Sequence, residues 1–157
     1  MFGFALTADE DLRNAVDPGE PDAVLLTGSL LDGAEEPLAY PDGLVEVWHD
    51  DQFARARTDP FGVWQTWVRK PTTGLVLADG TSVAPHLNLT VWGRGLNKQV
   101  QTRLYFPDEA EANGADPILF IVPEHRRRTL VAVAQEDGSL RFDIRLQGPQ
   151  ETVLFEF

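Results

Sequence analysis

The chain has no cysteine, one methionine, two tyrosines and three histidines in 157 residues. The missing cysteine excludes disulfides, thiolate metal sites and a thiol nucleophile together. Positive charge is also scarce: 13 Lys and Arg stand against 25 Asp and Glu, a formal net charge of −12. That imbalance excludes nucleic acid as a partner, because phosphate would be repelled. It also means that an anionic ligand needs a local cationic contact. No apolar run approaches the ~20 residues that cross a bilayer, so no membrane association is expected. No basic, apolar-cored leader opens the chain, since Asp9, Glu10 and Asp11 come early. With the absent cysteine, this points to the cytoplasm. Neither a glycine-rich phosphate loop nor a nucleophile motif is present, so no catalytic residue is assigned.

What is present is an ordinary globular composition, 43% hydrophobic and 24% charged. A single domain over residues 1–157 with its own core is expected. Short apolar segments at 24–27, 44–48 and 63–68 are divided by turn signals such as Asp32-Gly33 and Pro41-Asp42-Gly43. Residues between 48 and 63 read as polar connection, including Asp59-Pro60-Phe61-Gly62. Residues 75–82 read as a small hairpin turning at Asp79-Gly80. Residues 107–117 hold the plausible helical region, with Asp116-Pro117 as an N-cap followed by proline at the first helical position. A hairpin is expected from 129–134 to 140–146, with Leu140, Phe142, Ile144 and Leu146 on one face. A closing strand at 152–157 would align Val153, Phe155 and Phe157. Short strands at turn-separated intervals predict an all-β chain, an antiparallel two-sheet β-sandwich with one or two short helices between strands.

The segment 85–106, PHLNLTVWGRGLNKQVQTRLYF, is the most informative. It reads as two alternating strands, with His86, Asn88, Thr90 and Trp92 on one face and Leu87, Leu89 and Val91 on the other. Two nitrogen ligands at i and i+2 on such a face can grip one metal ion, but the second is Asn, a poor substitute for imidazole. His86 alone reads as a core or interface histidine. His49, beside Asp50 and Asp51, reads as a solvated strand end, and Arg126-Arg127-Arg128 as a solvated or interfacial face.

This segment resembles the intradiol ring-cleaving dioxygenase family, in the alpha chains of its two-chain members. The likeness continues through Leu44-Val45-Glu46-Val47-Trp48, Pro107-Asp108-Glu109-Ala110-Glu111-Ala112-Asn113, Arg126-Arg127-Arg128-Thr129-Leu130, Arg141 to Gly148 and Glu151 to Phe157. It implies a two-sheet β-sandwich. In the catalytic subunit of that family two tyrosines and two histidines hold Fe(III). Here the first tyrosine position falls near Phe53, and the second near Thr72, Thr73 and Gly74. His86 alone keeps a ligand place, and Asn88 replaces its partner. His86, Asn88 and Phe53 are thus relic positions, with no metal in this chain and the Fe(III) held by a beta subunit. The resemblance puts Arg94, in Trp92-Gly93-Arg94-Gly95, at a shared cleft, as a substrate-binding guanidinium for an aromatic acid. Flanking glycines would leave room for close backbone approach. Family alpha chains carry a pocket-lining segment ahead of Phe2-Gly3-Phe4-Ala5-Leu6, and this chain begins inside that motif.

The chain is therefore expected to be a non-catalytic, pocket-shaping subunit of an aromatic-acid dioxygenase. The alternative is a free-standing β-sandwich binding module of transthyretin or carbohydrate-binding type, using Trp64 or Trp67 as a platform. A metalloenzyme built on His49, Asp50, Asp51 and His86 ranks last.

Overall fold

Two-residue alternation of apolar and polar side chains builds two sheets that share one core. The computed structural model describes residues 12–74 and 76–156. Strand β1 (Ala23–Leu31) pairs antiparallel with β4 (Val63–Arg69), setting Leu26 opposite Thr66 and Gly28 opposite Trp64. Strands β7 (Val133–Ala134), β8 (Leu140–Arg141) and β9 (Ile144–Arg145) complete this sheet, in the order β4-β1-β8-β7 with β9 also on β1. The second sheet is wholly antiparallel, in the order β3-β2-β5-β6. It comprises β2 (Gly43–His49), β3 (Gln52–Arg57), β5 (His86–Gly93) and β6 (Val100–Tyr105).

Between the sheets Leu26, Leu30, Trp64, Val45, Val47, Leu87, Leu89, Val91, Leu104 and Ile144 are essentially inaccessible to solvent. Each such side chain contributes about 1.5–3 kcal/mol by leaving water. The antiparallel sandwich expected from the sequence is thereby borne out.

A helical segment covers one end of the second sheet's outer face. It contains α1 (Ala110–Ala115), α2 (Pro117–Ile121), α3 (Glu124–Arg127) and a 3-10 turn (Arg128–Leu130). Leu119, Val122 and Leu130 pack there against Ala84 and Tyr105 as a second small core. Asp116 caps α2 as the sequence predicts: its carboxylate accepts from Ile118 N at 2.8 Å and Leu119 N at 2.7 Å, with Pro117 in the first turn. It also accepts from Ala84 N at 2.7 Å, which ties the helices to the start of β5.

Several expectations are corrected. Strand β3 lies where polar connection was expected; the alanines in Gln52-Phe53-Ala54-Arg55-Ala56-Arg57 face the core, and their small side chains mute the alternation. Strand β1 runs past Gly28 to Leu31, because Phe142 O sits where a Cβ at 28 would lie. The 75–82 hairpin shrinks to one bridge, Val76 to Ser82. Residues 128–130 turn rather than extend, so the hairpin pairs only Val133 with Arg141 and Ala134 with Leu140. The 152–157 strand reduces to a bridge from Phe155 to Gln101. The Phe2 to Leu6 motif and Phe157 lie outside the described residues.

Candidate functional site

Register on the outer face of the second sheet assembles the site. Pairing sets Phe53, Trp48, Asn88 and Arg103 abreast across β3, β2, β5 and β6, with His86 opposite Tyr105 two residues away. Paired residues share a face, so these side chains converge on one surface. Trp48, His86, Asn88 and Arg103, with His49 and Gln101, line a cavity of about 420 Å³ that has Asp50 on its wall.

His86 is 3% exposed, and its Nδ1 lies 2.8 Å from Ala84 O. A carbonyl only accepts, so Nδ1 carries the proton and Nε2 keeps its lone pair. Burial, above all, and then the Arg103 and His49 charges hold this imidazole below the ordinary histidine range, against the opposing pull of the Ala84 bond. His86 is therefore neutral at pH 7, a buried hydrogen-bonded histidine as the sequence suggests.

His49 corrects its expectation. Its side chain is only 12% exposed, its ring meets His86 edge-on at 5.8 Å, and its Nε2 lies 3.2 Å from the exposed Asp50 carboxylate. The tight β2–β3 turn, with Asp50 at φ 47°, folds this strand end over the cavity.

Tyr105 has a structural place. Its hydroxyl donates towards Asp116 Oδ1 at 3.4 Å, and burial pushes the phenol up to about 12 while Arg103 opposes that rise. It stays a neutral phenol beneath the helices.

A ferric centre needs phenolate and imidazole donors converging on one point. Phe53 offers no oxygen, and its ring lies under the Arg55 guanidinium at 5.5 Å. Asn88 stands where a second imidazole would be, and Thr72 and Thr73 carry no phenol. Among the described residues, no group of three or more His, Cys, Asp or Glu is placed to hold a metal ion. These side chains do not fit Fe(III). His49, Asp50 and His86 meet at the cavity, while Asp51 does not line it.

Arg94 lies at the opposite end of β5 from His86, roughly 25 Å away at the rise of an extended strand. Its side chain is 76% exposed, 3.2 Å from the Asp42 carboxylate, and its backbone N–H donates to Asp42 O at 2.9 Å. Gly93 serves packing rather than approach of a ligand, since a Cβ there would sit 3.0 Å from Leu38 Cδ1. Nearby, Tyr40 is exposed and carries the Arg57 guanidinium at 5.4 Å from its ring.

The three arginines do not form a common face. Arg126 donates to Glu151 O at 2.8 Å, Arg127 to Val122 O and Phe120 O, and Arg128 to Gln150 Oε1 at 3.3 Å. They anchor the helical segment by satisfying carbonyls at helix ends and in the C-terminal loop. Trp64 is fully buried, which removes it as a ligand platform. Arg103 and His49 were not read as cavity residues. Alternation along 100–105 is the signal for Arg103, whereas only the turn geometry brings in His49.

No protein-family model matches the chain. It is 38% identical over a 177-position alignment to the protocatechuate 3,4-dioxygenase alpha chain of Pseudomonas putida, covering 96% of this chain and 85% of that one. It is 44% identical over 108 positions to the protocatechuate 3,4-dioxygenase alpha chain of Burkholderia cepacia, covering 66% and 53% respectively. The dioxygenase domain of a dioxygenase–carbohydrate-binding protein fusion from Streptomyces sp. SirexAA-E superposes with a TM-score of 0.62. That match covers 85% of this chain and 86% of the other at 18% identity, a likeness of fold.

Proposed function

This chain belongs to the protocatechuate 3,4-dioxygenase alpha-chain family, and on that premise we propose that it is the non-catalytic, pocket-shaping subunit of that enzyme. The enzyme cleaves protocatechuate between its hydroxyls with O2, giving 3-carboxy-cis,cis-muconate in the 3-oxoadipate pathway of aromatic catabolism. A beta subunit of protocatechuate 3,4-dioxygenase holds the Fe(III). This chain, a single domain over residues 1–157 acting in the cytoplasm, is inactive alone. No helix among the described residues is long and apolar enough to cross a membrane.

One observation carries this reading: Arg94 and the His86 cavity occupy opposite ends of one strand. The cavity lacks the donors for iron, and Arg94 is too distant to serve a ligand held there. On this reading a ligand of Arg94 belongs instead to a cleft shared with another chain. A guanidinium is charged at any working pH and matches a carboxylate with two parallel donors. It supplies the cationic contact that an aromatic acid needs on a protein of net charge −12. The chain's own chemistry is thus binding and orientation.

Purification of the lone chain and co-expression with a beta chain test the proposal together. The lone chain is expected colourless and without oxygen uptake on protocatechuate, and the co-purified complex coloured and active. Iron-dependent turnover by this chain alone would overturn it.

A further inference from the structure

A substrate carboxylate at Arg94 requires something to aim a side chain that is 76% exposed. We propose that Asp42 is that positioning residue, a role that rests on the Arg94 reading and deepens it. Asp42 takes Nη1 of the guanidinium and leaves the Nε–Nη2 edge for the carboxylate.

Arg94 follows the last residue of β5, and two contacts tie it to the turn ahead of β2. Its backbone N–H donates to Asp42 O at 2.9 Å, and its Nη1 lies 3.2 Å from Asp42 Oδ2. Among the described residues, Asp42 supplies the carboxylate paired with this guanidinium. The turn that carries Asp42 is itself held at several points. Asp42 N donates to Ala39 O at 2.8 Å, Tyr40 N donates to Asp59 O at 3.0 Å, and Gly43 pairs with Gly93 in the β2–β5 ladder. Leu38, at the start of the same turn, is buried. The Asp42 side chain is 31% exposed, so the more buried group directs the more exposed one.

Ordering a long side chain when a ligand arrives offsets part of the affinity that side chain supplies. A contact made beforehand reduces that loss. With Nη1 directed to Asp42, Nε and Nη2 remain as parallel donors, the pair that meets a carboxylate side-on. A single exposed contact is weak, so Asp42 directs the guanidinium without occupying its whole fork.

The complex of this chain with a beta chain is the material for the test. Equilibrium dialysis of protocatechuate without O2, where no turnover intervenes, is read beside steady-state KM and kcat. Asp42→Ala should weaken binding and raise KM about 3- to 10-fold, the loss expected when one side chain must be ordered on binding. The thermal midpoint and kcat should hardly move. Asp42→Asn keeps an oxygen acceptor for Nη1 and should stay within about 2-fold of the parent. In an Arg94→Ala background, Asp42→Ala should have no further effect, because the group it aims is gone. Unchanged binding in Arg94→Ala alone would refute the Arg94 reading, and positioning by Asp42 with it. Weakened binding in Arg94→Ala with parental or tighter binding in Asp42→Ala would overturn the positioning alone, leaving Asp42 as a competing charge. Should Asp42→Ala fail to assemble, Asp42→Ser, whose hydroxyl is too short to reach Nη1, should show the same loss. Failure of both to assemble, or equal losses with and without Arg94, would mark a purely structural role and overturn the proposal.

Discussion

The Arg55 guanidinium lies 5.5 Å from the centroid of the Phe53 ring and holds Glu46 through Nε at 2.9 Å and Nη2 at 2.8 Å. A fixed cation thus stands over the position where the family resemblance locates a phenolate ligand. Restoring two donors by Phe53→Tyr with Asn88→His is expected to leave the chain colourless in ferric iron. One phenolate would still be missing at Thr72–Thr73, and the Arg55 charge opposes a second cation. Absorption spectroscopy reads the result, and a visible phenolate-to-iron band would contradict it.

Arg94→Ala should act on substrate binding rather than on folding. In the complex with a beta chain, KM for protocatechuate is expected to rise about 10- to 100-fold, with kcat much less affected. The Arg94–Asp42 pair is exposed, and such pairs contribute about 0–1 kcal/mol, so the thermal midpoint should hardly move. Steady-state kinetics and a melting curve on one preparation separate the two effects.

Asp116 is 1% exposed and accepts hydrogen bonds from Ile118 N, Leu119 N, Ala84 N and the Tyr105 hydroxyl. Asp116→Ala strands two buried backbone donors, Ala84 N and Leu119 N, and the half-buried Ile118 N, and should cost at least about 2 kcal/mol, each buried group carrying about 1–3. Denaturant titration should show the loss. Undocked helices would also expose Tyr105 and lower its phenol from about 12, which spectrophotometric titration detects.

His86 gives a pH dependence of definite sign. Its folded-state value lies below the ordinary 6.5, chiefly through burial, so the unfolded chain binds the proton more readily. The stability it contributes is present above that ordinary value and is lost as pH falls from about 6.5 towards the depressed folded-state value. His86→Gln should flatten the slope of stability with pH in that window, measured by urea titrations between about pH 7 and 5. An unchanged slope would show that His86 is not its source.

At Gly28, β1 and the 140–146 segment approach each other closely. A Cβ there would fall 1.8 Å from Phe142 O, and Phe142 N donates to Thr27 O at 2.8 Å. Gly28→Ala must push the chains apart and should cost about 1–3 kcal/mol. A variant as stable as the parent in thermal melts would mean that the two strands separate easily there.

Much of the fold was legible because apolar alternation survives in single segments. Leu87, Leu89 and Val91 face the core opposite His86, Asn88 and Thr90, and the Asp116-Pro117 cap starts its helix where read. Strand β3 escaped because alanine is a weak apolar signal, although Ala54 and Ala56 are wholly buried. The arginines at 126–128 read as one patch because adjacency in sequence conceals direction. In the helical turn they diverge to three different acceptors.

By itself the sequence determined which chemistry the chain lacks. It carries no cysteine thiolate, an amide at Asn88 and a ring without oxygen at Phe53, on a chain of net charge −12. Side-chain identity alone decides those matters, since a missing donor cannot be supplied by folding. Only the tertiary structure decided which polar groups meet. His49 turns over His86, Arg103 enters their cavity, and Arg94 is left at the far end of the same strand. Those relations depend on the register between strands distant in sequence, where a shift of one residue would send every side chain to the opposite face.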